Sequence, residues 1–261
     1  MKKGICIGSL PRDWAVEDKF KLAKEAGFDG VEIMSTTSEE ELQQLKAAAD
    51  AAGVEIPSIM GGVHWKWPLS SPDPEVRRQC AEAVAFALET AHLVGADTVL
   101  LVPGVVNEGT TYEEAWERSL AEIKELAKVA ERSKVYLGIE NVWNKFLLSP
   151  REFCQFLDEI GSEYVQAYFD CGNILIYGYP QHWIRTLGSR IKKVHVKDFV
   201  LAKRDFTYLL HGDVPWREVR QALLDIGYQD YVTVELPPYP QCPEQMVYDS
   251  SVQLDRILQG V

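Results

Sequence analysis

The 261-residue chain has no long hydrophobic run, no glycine-rich phosphate turn and no paired cysteines, and each absence removes a class of protein. No stretch approaches the roughly 20 consecutive apolar residues of a membrane-spanning helix, so no membrane partner is expected. Met1-Lys2-Lys3-Gly4-Ile5-Cys6-Ile7-Gly8 is basic but too short in its apolar part for a signal peptide, so a cytoplasmic location is expected. Cys6, Cys80, Cys154, Cys171 and Cys242 are odd in number and form no C-x-x-C pair, against a disulfide framework or a zinc knuckle. They read as buried thiols, except that Cys171 follows a candidate ligand and is expected to be partly exposed there. Positive charge is in deficit: 27 Lys and Arg against 39 Asp and Glu leave a net charge of -12, a field that repels nucleic acid.

What the chain does have is alternation. Short β-prone runs at 4–7, 30–33, 56–60, 98–102, 135–140, 165–170, 192–196 and 231–236 are separated by amphipathic segments, the pattern of βα units feeding a parallel sheet. Helix starts are marked by Ser38-Glu39-Glu40-Glu41, Asp73-Pro74-Glu75, Thr111-Tyr112-Glu113-Glu114 and Ser149-Pro150-Arg151-Glu152, which supply cap residues and early carboxylates. Gly27, Gly53, Gly95 and Gly227 fall where left-handed C-caps precede the next strand. No linker or low-complexity tract intervenes, so residues 1–261 read as one α/β domain, a (β/α)₈ TIM barrel. The competing open doubly wound sheet would want G-x-G-x-x-G after the first strand, and Gly8-Ser9-Leu10-Pro11 does not supply it.

The loops after the strands are long, notably 61–72, 103–110, 141–148 and 198–215, and that is the side on which barrels build their sites. Glu140, Asp170, His195 and Glu235 each end, or nearly end, one of the last four apolar runs. Singly, such residues cap helices, pair with arginine or sit as hydrogen-bonded core histidines. Together they make an oxygen-rich set suited to one divalent ion, Mn²⁺ first, with Mg²⁺, Co²⁺ or Zn²⁺ as alternatives.

These residues, with Pro68-Leu69-Ser70-Ser71-Pro72-Asp73, Ile139-Glu140-Asn141, Phe169-Asp170-Cys171-Gly172-Asn173, His195-Val196-Lys197-Asp198 and His211-Gly212-Asp213-Val214-Pro215-Trp216, resemble the xylose isomerase-like barrels of sugar isomerases and epimerases. The likeness is to the branch holding tagatose 3-epimerase and ribulose-5-phosphate 3-epimerase. The resemblance implies that Glu140, Asp170, His195 and Glu235 bind the metal and that Glu140 and Glu235 are also the acid/base pair. It implies ketose 3-epimerisation through a metal-stabilised cis-enediolate, on a ketose or ketose phosphate. Barrels of this branch commonly associate, so a homo-oligomer, dimer or tetramer, is expected.

Two positions depart from the family pattern. Asn173 stands where the epimerases often carry a substrate-contacting histidine, and the usual arginine beyond the metal histidine has Arg204 as its nearest counterpart, with Lys197 and Lys203 as alternatives. Further candidate substrate contacts are His64 and Lys66 in His64-Trp65-Lys66-Trp67, Trp14, Lys145 in Trp143-Asn144-Lys145-Phe146, and His211. Each has a plainer reading, the tryptophans as loop packing and the lysines as solvated surface. Lys66, Lys145, Arg12 and Arg204 together would form a phosphate clamp.

The same ligand set also serves aldose–ketose isomerisation, and an inosose dehydratase-like lyase in which His211 or Lys197 protonates the leaving hydroxyl. An abasic-site endonuclease is a remote alternative: it would need further site-side histidines, and strand four ends in Val102-Pro103-Gly104. A non-catalytic sugar-binding barrel would not need both glutamates.

Overall fold

In a computed structural model that describes residues 1–260, eight parallel strands close into a barrel. The barrel strands are β1 (Lys2–Cys6), β2 (Gly30–Met34), β3 (Ser58–Met60), β4 (Thr98–Leu101), β5 (Tyr136–Glu140), β6 (Val165–Asp170), β7 (Ile191–Val196) and β10 (Tyr231–Val234). Each strand pairs with its sequence neighbours, and β1 closes on β10. Outside lie α1 (Val16–Ala26), α2 (Glu39–Ala52), α3 (Pro74–Thr90), α4 (Tyr112–Ser133), α5 (Pro150–Ile160), α7 (Pro180–Leu187), α8 (Trp216–Asp225) and α9 (Pro243–Gln259). A single-turn helix, α6 (Cys171–Ile174), follows β6 directly. No helix among the described residues is long and apolar enough to cross a membrane.

The expected helix signals act locally as read. Ser38 accepts from Glu41 N–H, Asp73 from Glu75 N–H, and Ser149 from Glu152 N–H, each answering an orphan donor of the first turn. Thr111 and Glu114 form a full reciprocal capping box at the head of α4, 22 residues long. Thr111→Ala is expected to cost about 1 kcal/mol of unfolding free energy. Urea denaturation of both proteins checks this, and an unchanged midpoint would show that the cap carries nothing. Gly27, at φ 92, ends α1 in the left-handed region and donates back to Ala23 and Lys24.

Three expectations need correction. Cys242 is exposed and Cys154 half-buried, where both read as buried thiols. The segment 198–215 is not an unstructured loop: β8 (Asp198–Val200) and β9 (Asp205–Thr207) make a small antiparallel hairpin over the barrel mouth. Asp198 anchors it, accepting from the N–H groups of Phe199 and Val214 and from Trp216 Nε1. Cys171 is fully buried, not partly exposed, and burial pushes its thiol well above the usual range.

Candidate active site

Parallel register brings the four candidate ligands to one rim. Asp170 on β6 pairs directly with His195 on β7, Glu140 ends the adjacent β5, and Glu235 follows β10 on the other side of β7. One ligand atom from each of Glu140, Asp170, His195 and Glu235 lies within 4.8 Å of the other three. His195 Nδ1 is 3.2 Å from Glu140 Oε1 and 3.9 Å from Glu235 Oε2. Glu140, Asp170 and His195 are buried, whereas Glu235 is partly open to the mouth.

Asn141, next to Glu140, ties the end of β5 to Asp170. Its amide accepts from Asp170 N–H at 2.9 Å and donates to Asp170 O at 2.8 Å, locking the end of β5 to the end of β6. Gly172 then lets β7 close in, because a Cβ there would stand 2.6 Å from the Lys197 carbonyl oxygen.

Lys197, expected only as an alternative to Arg204 or as a proton donor, lies among the candidate ligands themselves. Strand alternation puts it on the same face as His195, two residues on, and its Nζ lies 2.9 Å from Asp170 Oδ2 and in contact with Glu235 Oε2. Burial opposes its charge, yet Asp170, Glu235 and Glu140 outweigh burial and hold the ammonium above its usual range. Asp170 Oδ2 is buried and receives no properly directed hydrogen bond: Lys197 is near enough for charge but off the donor line.

A buried carboxylate oxygen short of a donor, beside two glutamates and an imidazole, fits a divalent cation. Glu140, Asp170, His195 and Glu235 are the residues that would hold it.

The two glutamates sit in unequal environments. Burial pushes Glu140 up to about 7, with His195 opposing. For Glu235 burial is outweighed by Lys197 and His195, and its carboxyl lies below the usual range.

Above the ligands is a cavity of about 220 Å³ lined by Met60, His64, Trp65, Leu100, Val142, Trp143, Asn173 and Phe206 as well as Glu140, Lys197 and Glu235. Trp143 stacks on Phe206 at 4.7 Å and donates Nε1–H to Asn173 O, so the loop after β5 and the hairpin form one aromatic wall. His64 is buried, and burial pushes its imidazole down to about 4. Its Nδ1 accepts from Val102 N–H at 3.5 Å, which leaves Nε2 protonated. Asn173 lines the cavity but spends its amide on Asn141 O.

The remaining candidates lie off the cavity wall. Lys66 stands over the Trp67 ring at 4.5 Å, and His211 Nε2 sits 3.3 Å from Gln253 Nε2 on α9. Lys145 and Arg204 are exposed, with φ of 58 and 55, on the loop after β5 and at the hairpin turn. Trp14, 41 % exposed, is likewise absent from the lining.

The chain matches the xylose isomerase-like TIM barrel family over residues 20–254. It is 28% identical over 250 residues to a D-psicose 3-epimerase of Ruminiclostridium cellulolyticum, covering 90% of this chain and 83% of that protein. Against an L-ribulose-5-phosphate 3-epimerase of Salmonella heidelberg it is 28% identical over 206 residues, covering 75% and 72%. The fold is that of a solved L-ribulose 3-epimerase (TM-score 0.87, 19% identity, 99% and 94% covered) and of D-psicose 3-epimerase from Clostridium cellulolyticum (TM-score 0.82, 22% identity, 100% and 99% covered). By its match to the family over most of its length, and by the closed barrel that its strands form, this protein belongs to the xylose isomerase-like TIM-barrel family.

Proposed function

We propose that the protein is a divalent-metal-dependent ketose 3-epimerase in which Glu140 and Glu235 exchange the C3 proton between the two faces of the substrate. The observation that carries this is geometric: Glu140 and Glu235 line one cavity with Asp170 and His195 between them, one ligand atom of each lying within 4.8 Å of the others. A bound divalent ion supplies positive charge against the sugar oxygens that become negative on deprotonation. The protein's own part is to hold the ketose so that one carboxylate reaches C3–H from one side and the other carboxyl returns a proton from the opposite side. Trp143, Phe206 and Trp65 give flat apolar surfaces for sugar C–H groups, and the His64 Nε2–H is a neutral donor for a hydroxyl.

The cavity also bears on phosphate. Among the described residues that line it, Lys197 is the only cation, and it is committed to Asp170 and Glu235. Lys66, Lys145, Arg12 and Arg204 lie off the wall, which supports reading the substrate as an unphosphorylated ketose.

Incubating the Mn²⁺-loaded protein in deuterium oxide with free and phosphorylated ketopentoses and ketohexoses tests both statements by NMR. Deuterium at C3 with formation of the C3 epimer, fastest for free sugars, is the expected result. Chelation should abolish it and Mn²⁺ restore it. Deuterium at C1 or C2 with an aldose would make the protein an isomerase. Loss of water without an epimer would make it a lyase.

A further inference from the structure

Glu32 is the most unusual residue that the proposed reaction leaves unused. It lies in the middle of β2, is 1 % exposed, and has no lysine or arginine partner among the described residues. A buried carboxylate without a cation is costly unless hydrogen bonds replace its lost water.

Here four side chains from four barrel strands converge on it. Tyr168 Oη and Ser58 Oγ donate to Oε1 at 2.7 and 2.8 Å; Cys6 Sγ at 3.0 Å and His195 Nε2 at 2.8 Å are on Oε2. Four donors fill the acceptor capacity of one carboxylate. Cys6 is its register partner on β1, and Tyr168 is held further by a 3.2 Å contact with Ser58. The carboxylate is therefore fixed in position from three strands besides β7.

The contact that matters is with His195. Its two ring nitrogens face opposite ways: Nε2 toward Glu32, and Nδ1 toward Glu140 and Glu235. With the Nε2 proton donated to Glu32, the Nδ1 lone pair is the one presented to the ligand cluster. We propose that Glu32 is a positioning residue for the metal centre, fixing the tautomer and ring plane of His195 so that Nδ1 coordinates the ion. This rests on the metal reading given above. Such a carboxylate also makes the imidazole a stronger ligand, and losing it costs about 10–100-fold in metal affinity.

The test compares Mn²⁺ binding to wild type, Glu32→Gln and Asp170→Asn, followed by the loss of the free-ion EPR signal. The second readout is the exchangeable ring N–H resonance of His195 in the Co²⁺-loaded protein, shifted by the ion and slow to exchange when held by a buried carboxylate. Glu32→Gln should bind Mn²⁺ about 10–100-fold more weakly and exchange that proton faster. Wild-type affinity and an unchanged resonance in the variant would overturn the proposal alone. Wild-type protein that takes up no Mn²⁺ would overturn the metal reading and this proposal together. Should Glu32→Gln fail to fold, Tyr168→Phe removes one donor from the carboxylate while keeping the aromatic ring that packs on His195 at 4.4 Å. Weaker Mn²⁺ binding there supports the proposal, and unchanged binding refutes it.

Discussion

Glu235→Gln, assayed at saturating Mn²⁺, is expected to lower the rate of ketose C3 epimerisation by about 10²–10⁴-fold, the contribution of a positioned general acid or base. Glutamine keeps the size of the side chain and one coordinating oxygen, so the loss falls on proton transfer. Glu140→Gln should cost a similar factor from the other face. The two variants are separable by isotope. With one carboxylate gone, the remaining one can still remove and return the C3 proton on its own side, so each variant should exchange deuterium into one epimer of the substrate without inverting it, and the two should prefer opposite epimers. Mn²⁺ affinity measured in parallel shows how much of the effect comes through the ion. Turnover in Glu235→Gln within a few fold of wild type would remove it from the reaction. Exchange from the same face in both variants would refute the two-sided arrangement.

The clustering of the four candidate ligands at one rim was legible in the sequence because strand ends are visible as the ends of apolar runs, and parallel strands set at equivalent registers bring those ends together. Asp170 and His195 are register partners, as the equivalence requires. What the sequence hid depends on the inward or outward sense of side chains within a strand. Lys197 lies two residues beyond His195, and period-2 alternation aims both at the mouth, yet a lysine after a strand reads equally well as surface. In the sequence Glu32 reads as one charge within Gly30-Val31-Glu32-Ile33-Met34, although a carboxylate in the middle of a buried strand has to be answered by partners that only the closed barrel supplies.

The hairpin of β8 and β9 is hidden in the sequence for a different reason. Each of its strands has three residues, and its position is set by Asp198, whose three donors come from its neighbour Phe199 and from residues 16 and 18 places away. That hairpin carries Phe206 to Trp143 and turns Arg204 outward, which is why the expected cationic clamp and the observed aromatic wall differ.

The opposite end of the barrel provides the largest expected change in stability. Lys193 on β7 is buried, with Nζ 2.9 Å from Asp97 Oδ1 and 2.7 Å from Asp230 Oδ1, while Lys192 bridges the same two carboxylates at 2.7 and 2.9 Å. The cluster borders a cavity of about 560 Å³ that contains none of the candidate ligands. Asp230→Ala strands a buried ammonium with one partner, and we expect a loss of about 3 kcal/mol, the low end for a broken buried pair because the acids are partly exposed. For a chain of this size that is a fall in Tm of roughly 6–12 °C. Lys193→Met removes the buried charge at nearly constant volume and leaves Lys192 on both acids, so it should cost less. Burial opposes ionisation of Asp97 and Asp230, but Lys193 and Lys192 outweigh it and hold both carboxyls below their usual range. Depressed folded values mean that this stabilisation is complete above the unfolded carboxyl value of about 3.9 and is lost as pH falls through the folded values. The difference between wild type and Asp230→Ala should therefore be constant near neutrality and shrink in acid. Thermal denaturation from pH 7 down to pH 3, with epimerisation measured alongside at 25 °C, checks the prediction. If the gap widened in acid, or if Lys193→Met cost more than Asp230→Ala, the network would not be stabilising through its charges.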